Sequence, residues 1–125
     1  MLGTELQPGL RMFNAANFFA AHEALEDVWR EVPRHSRLRR HLQGLVQVAV
    51  ALHHQSTGNR AGARSVLERA LRNLQGAEES LPNLDLERLR TDLGAWREFL
   101  VQTPTLDGAQ PPRLPKLMLR GEAPQ

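Results

Sequence analysis

Cysteine is absent from these 125 residues. Its absence removes disulfide staples, thiolate metal sites and cysteine nucleophiles, and fits a reducing compartment. Excess charge of one sign is also missing. The formal net charge is +2, too small to mark a nucleic-acid binder, and the pI of 10.3 reflects arginine outnumbering lysine, since arginine stays charged at high pH. No long apolar run occurs. The longest, residues 45–52, is interrupted by Gln47 and is far too short to span a bilayer. The opening residues lack a basic stretch followed by an apolar one, so the expectation is no signal peptide and a cytoplasmic chain. Neither strand-like alternation nor an internal repeat is present. Apolar residues make up 41%, ordinary for a globular chain, and the length suits one domain with a real core.

What is present is helical period. Residues 1–11 read as a lead-in, with Pro8 and Gly9 as a break. Asn14 or Asn17 caps a first long helix that runs to about Arg30 and stops before Pro33. Ser36 caps a second, from about Arg37 to Gln55, whose middle is apolar on nearly every side. Such a helix is central, covered on more than one face. Gly58 and Asn59 end it and cap a third helix with Ala63, Val66, Leu67, Ala70, Leu71 and Leu74 on one face, and Gly76 follows as its C-terminal stop. After a turn at Leu81, Pro82 and Asn83, either Asn83 or Asp85 caps a fourth helix with Leu86, Leu89, Leu93, Trp96 and Leu100 in register. The fold class is all-α: a compact bundle of about four main helices with antiparallel neighbours. Residues 1–103 form the bundle domain. Residues 104–125 form an extended, proline-rich tail whose Leu114, Leu117 and Leu119 pack on the bundle or on a partner.

The stretch 18–29, FFAAHEALEDVW, organises the chain. At a hundred degrees per residue, Phe18, Phe19, His22, Leu25, Glu26 and Trp29 share one broad arc, with Ala20, Ala21, Ala24 and Asp27 outside it. An imidazole and a carboxylate on an apolar arc need partners, because burying them alone costs several kcal/mol. The second helix supplies candidates: Gln43, Gln47 and His54 fall within about sixty degrees of one another by phase, with His53 about a hundred degrees away.

Three readings stand for this cluster. In the first it is a buried hydrogen-bond network fixing helix register, with Glu26 accepting from His54 or Gln47. In the second it is a divalent metal site. His22, Glu23 and Glu26 form an H-E-x-x-E pattern, with His22, Glu26 and His54 as ligands, Glu23 as base for a metal-bound water, and zinc, manganese or iron as the ion. In the third it is a pocket for a small polar ligand lined by Phe19, Trp29, Gln43 and Gln47. A binding protein for a metal or small ligand is the preferred function. The rival is an interaction module whose tail or basic edge docks a partner, a second copy of the chain included. Arg34, Arg37, Arg39 and Arg40 make up that edge. A solvated helix start accounts for it better than phosphate contacts do. Arg34 and His41 nevertheless have an R-x6-H spacing, like the loose motif of HEPN-class ribonucleases. Hydrolase and ribonuclease readings are the weaker alternatives. Trp29 and Trp96 read as structural anchors.

Three runs together resemble a known family. They are N-x-x-N-F-F-x-x-H-E-x-L-E-x-x-W over 14–29, L-Q-G-L-V-Q-x-A-x-A-L-H-H over 42–54 and G-N-R-A-G-A over 58–63. They resemble domain of unknown function 309, a family of small bacterial and archaeal helical proteins, from about residue 14 to 100. The resemblance implies a compact all-α bundle and no assigned activity. The family's characteristic positions carry over to His22, Glu23, Glu26, Trp29, Gln43, Gly44, Gln47, His54, Gly58 and Asn59.

Overall fold

The computed structural model describes residues 3–102 and 110–121. Five α-helices follow one another: α1 (Gly3–Asn14), α2 (Phe18–Arg30), α3 (Arg37–Ser56), α4 (Arg60–Asn73) and α5 (Leu86–Gln102), with a short 3-10 turn at Ala77–Glu79. No named strand occurs among the described residues. None of their helices is long and apolar enough to cross a membrane.

The first helix corrects the expectation of a lead-in broken at Pro8 and Gly9. Pro8 lies inside α1 and removes one i→i−4 hydrogen bond. Burial outweighs that loss: Leu6, Leu10 and Phe13, spaced four and three apart, are all buried. Gly9 contributes by having no side chain. A Cβ there would lie 2.7 Å from Leu25 Cδ2, so glycine lets α1 settle directly on α2. The chain reverses between these helices through Ala16, which adopts a left-handed φ of 64°.

Caps set the remaining boundaries. The Ser36 hydroxyl accepts from the Arg39 amide at the start of α3. Asn59 Oδ1 accepts from the Gly62 amide at the start of α4. Asp85 Oδ1 accepts from the Arg88 amide at the start of α5. These are the N-cap geometries that each residue type favours. Asn17 occupies the N-cap position of α2 but makes no side-chain cap bond.

α3 is the centre, packed against α2 on one side and α4 on the other, while α1 packs on α2 and α5 on α4. Gly44 permits the α3–α4 approach, since a Cβ there would meet Leu74 Cγ at 2.8 Å. In the C-terminal segment, Pro115 and Leu117 are buried, Trp96 Nε1 donates to the Arg113 carbonyl at 3.0 Å, and Leu119 makes an isolated antiparallel bridge with Leu84. The parts of the expected extended tail at 104–109 and 122–125 lie outside the described residues.

Candidate functional site

The start of α2 meets the end of α3, and the end of α2 meets the start of α3, so the two helices run in opposite directions. At one end the Phe19 ring sits between two imidazoles, 5.1 Å from His22 and 5.3 Å from His53. Phe19 is 51% exposed. At the other end the Arg39 guanidinium lies 4.0 Å above the Trp29 ring and donates to the Val32 carbonyl at 3.0 Å, a cation–π pairing with its charge also hydrogen-bonded.

α3 turns its neighbouring face to α4. Gln47 Oε1 accepts from Asn73 Nδ2 at 2.7 Å. Arg40 donates to the Arg72 carbonyl at 2.8 Å. His54 Nδ1 lies 3.3 Å from Asn59 Nδ2. Between the stripe that meets α2 and the stripe that meets α4, helical phase leaves Gln43, Val50 and His54 pointing outward, and Gln43 is exposed while Val50 and His54 are half-buried. Of the polar residues picked from the sequence, Gln47 and His54 thus meet α4 and its cap, while His22 and Trp29 lie toward opposite ends of α2.

That arrangement corrects the expectation of polar groups buried on an apolar arc. On α2 the buried residues are Phe18, Ala21 and Leu25. Ala21 was expected outside the arc and Phe19 inside it. α1 is the reason: it also packs on α2, with Gly9 directly against Leu25, and draws the covered face toward Ala21. Glu26 pairs with Arg30 on its own helix at 2.6 Å, rather than with His54 or Gln47, and Arg30 also reaches Asp27 at 3.1 Å. His22 Nδ1 turns back to the Phe19 carbonyl at 2.7 Å. Glu23 is exposed. Among the described residues, no three His, Cys, Asp or Glu side chains converge in a metal-binding group. His22, Glu26 and His54 are not brought together as a ligand set, and Glu23 has no such centre beside it. His53, set aside by phase, is the histidine that approaches α2.

The basic edge is largely engaged within the fold. Arg37 bonds Glu79 at 2.7 Å, Arg39 stacks on Trp29, and Arg40 is held by the α4 carbonyl end. Arg34 is exposed on the turn before α3, whereas His41 is buried, so the two residues of the R-x6-H pattern face different environments.

His41 is the residue the sequence reading underrated. It is 2% exposed and the one buried polar side chain among the described residues. Its Nδ1 lies 2.8 Å from Ser80 Oγ. Burial lowers its pKa from the usual 6.5, against an opposing hydrogen bond with the Gln75 backbone. The signal was there in phase: His41 shares one face of α3 with Leu45, Val48 and Leu52, all buried.

Residues 6–66, from the first turns of α1 into α4, match the family model described as Domain of unknown function (DUF309). The chain is 36% identical over 74 residues to the Uncharacterized protein YpuF of Bacillus subtilis (strain 168), a match covering 59% of this chain and 42% of that protein. It is 28% identical over 81 residues to an uncharacterized protein of Aquifex aeolicus (strain VF5), covering 65% of this chain and 24% of that protein. The matched part thus spans less than half the length of these curated relatives.

Proposed function

The chain belongs to the DUF309 family through residues 6–66, and from that footing we propose that it is a binding protein whose working surface is the outer face of α2 and α3. The observation that carries this reading is Phe19. A large apolar ring, half exposed, packed edge-on to the His22 imidazole and tilted against that of His53, adds little to the core. Single exposed apolar residues are common on soluble proteins. This one continues into Val50, the exposed amide of Gln43, Gln47, and the Trp29–Arg39 stack at the far end. Aromatic faces, amide donors and acceptors, and a guanidinium suit a planar ligand with hydrogen-bonding edges and an acidic group. His54 and Asn59 form the outer corner of the same surface. Glu26, spanned by Arg30, supplies charge balance at its rim.

The test is a two-dimensional amide NMR titration with nicotinic acid and with adenosine monophosphate as planar acidic probes. Shifts concentrated at Phe19, Gln43 and His53, and lost in a Phe19→Ala variant that melts within a few degrees of the parent, support the reading. Shifts elsewhere, or none at millimolar probe, sink it.

The rival reading, docking through the C-terminal tail or the basic edge, is less favoured for a specific reason. In this fold the segment at 113–120 is engaged by the chain's own Trp96, Asn14 and Asn83, and two exposed arginines of the edge, Arg37 and Arg40, are engaged as well.

A further inference from the structure

On the opposite flank, a groove of about 960 Å³ runs between α1, the start of α3 and the segment at 79–84. Leucines at 6, 10, 38 and 84 form apolar walls along it, and Glu79 and Ser80 are part of its lining. Directly behind Ser80 sits His41, with Nδ1 2.8 Å from the Ser80 hydroxyl oxygen. In the tautomer that carries its proton on the other ring nitrogen, Nδ1 accepts the Ser80 O–H. Nucleophile and base then stand in the order that serine activation requires, beside a groove of ligand size.

We propose that Ser80 and His41 form a nucleophile–base dyad that takes acyl groups from esters with an apolar acyl chain, the chain lying along the leucine walls. Ser80 Oγ bonds to the acyl carbon as its proton passes to His41 Nδ1. The bond to the alcohol oxygen breaks, and that oxygen leaves with the proton from His41. Water then adds to the acyl carbon and gives its proton to His41. The bond to Ser80 breaks, the proton returns to Ser80 Oγ, and a carboxylic acid is released. Asn83 and Arg120 line the same groove and carry N–H donors of the kind that stabilise an oxyanion. Burial favours neutral His41, the form a base needs. This site is separate from the α2–α3 surface, and Ser80 lies beyond the family match at 6–66.

The chain has no cysteine, which gives the test a clean second arm. In the first arm, the full chain is treated with an alkyl fluorophosphonate and its peptides are weighed. The expected result is a phosphonyl adduct at Ser80, lost in Ser80→Ala, with slow release of p-nitrophenol from p-nitrophenyl butyrate lost in parallel. In the second arm, Ser80→Cys places a single thiol against His41. Its alkylation by iodoacetamide at pH 6 is expected to run about tenfold or more faster than that of a free cysteine. No adduct at Ser80 overturns the proposal and leaves the His41–Ser80 bond as a tie between α3 and the 3-10 turn. Finding the adduct on the parent chain needs no variant to fold, and thermal melting of Ser80→Ala and Ser80→Cys checks the rest.

Discussion

Asn14 grips Leu117 by both backbone groups. Its Oδ1 accepts from the Leu117 amide at 2.7 Å, and its Nδ2 donates to the Leu117 carbonyl at 3.1 Å. The side-chain amide thereby does for this segment what a neighbouring strand would do, while Lys116 Nζ bonds the Asn14 carbonyl at 2.7 Å. Asn14→Ala leaves a part-buried N–H and C=O of Leu117 unpaired, at a cost of about 1–3 kcal/mol. Asn14→Asp keeps the acceptor and loses the donor, so it should fall between the two. Urea denaturation orders the three proteins, and amide exchange at Leu117 should accelerate in the same order.

The glycines give opposite expectations. Gly9→Ala drives a methyl to 2.7 Å from Leu25 Cδ2, and Leu25 is fully buried with no room to swing. Overpacking of this kind costs about 1–3 kcal/mol. Gly94 lies within α5 with nothing within 4 Å of a built Cβ. Gly94→Ala should stabilise by about 0.5–1 kcal/mol, through the conformational freedom glycine loses in a helix. Equal effects in denaturant melts would contradict this account of both positions.

Glu26→Gln separates a surface pair from a buried network. Glu26 is 32% exposed and Arg30 58% at the side chain, so the change should cost about 0.3–0.5 kcal/mol, the worth of an exposed i,i+4 pair. It should also weaken with added salt. A loss of several kcal/mol, insensitive to salt, would mean that the carboxylate has a buried partner after all.

Acid should unfold the chain in two distinguishable stages. His41 has a folded pKa below its usual 6.5, so the unfolded state binds the proton more readily. The contribution from neutral His41 is therefore complete above pH 6.5, and is lost as pH falls below that value and through the lowered folded pKa. Glu78 is held down to about 2 by its hydrogen bonds with Arg90, so its contribution is complete above the usual 4.5 and lost as pH falls through about 2. Glu78→Gln should flatten the lower part of the stability–pH curve and leave the part between pH 5 and 6.5 unchanged. A curve altered equally in both parts argues against this assignment.

Caps and stops were legible in the sequence because their chemistry is local. Ser36, Asn59 and Asp85 each satisfy an amide three residues on, and nothing distant decides it. α1 was not, although Leu6, Leu10 and Phe13 carry a helical spacing, because the Pro8–Gly9 pair signals a break unless one knows that Leu25 occupies the space a Gly9 side chain would take. Missing α1 displaced the reading of α2. With one covering helix, His22 and Glu26 fall in the core; with two, Ala21 does, and the polar pair moves to the rim. The candidate residues are spread among separate partners, Gln47 with Asn73, His54 beside Asn59 and Glu26 with Arg30, instead of a shared buried cluster. His41 was legible by phase, but its partner Ser80 is 39 residues away, a pairing no local pattern reveals.

The Asn14–Leu117 clasp joins positions 103 residues apart, whereas α1–α2, α2–α3 and α3–α4 each pack as consecutive neighbours. Those hairpins form from short-range encounters, and topology of that kind folds quickly. The clasp comes at the end of the order. A chain growing from a ribosome has Asn14, Phe18 and the whole α2–α3 pair ready long before Leu117 is synthesised. Once the helices have gathered, the entropy of closing so long a loop is mostly spent, and the final step reduces to laying down one short segment. Circularly permuted versions opened at 57–59 should therefore fold more slowly than the parent, since α3 and α4 would no longer meet as neighbours along the chain.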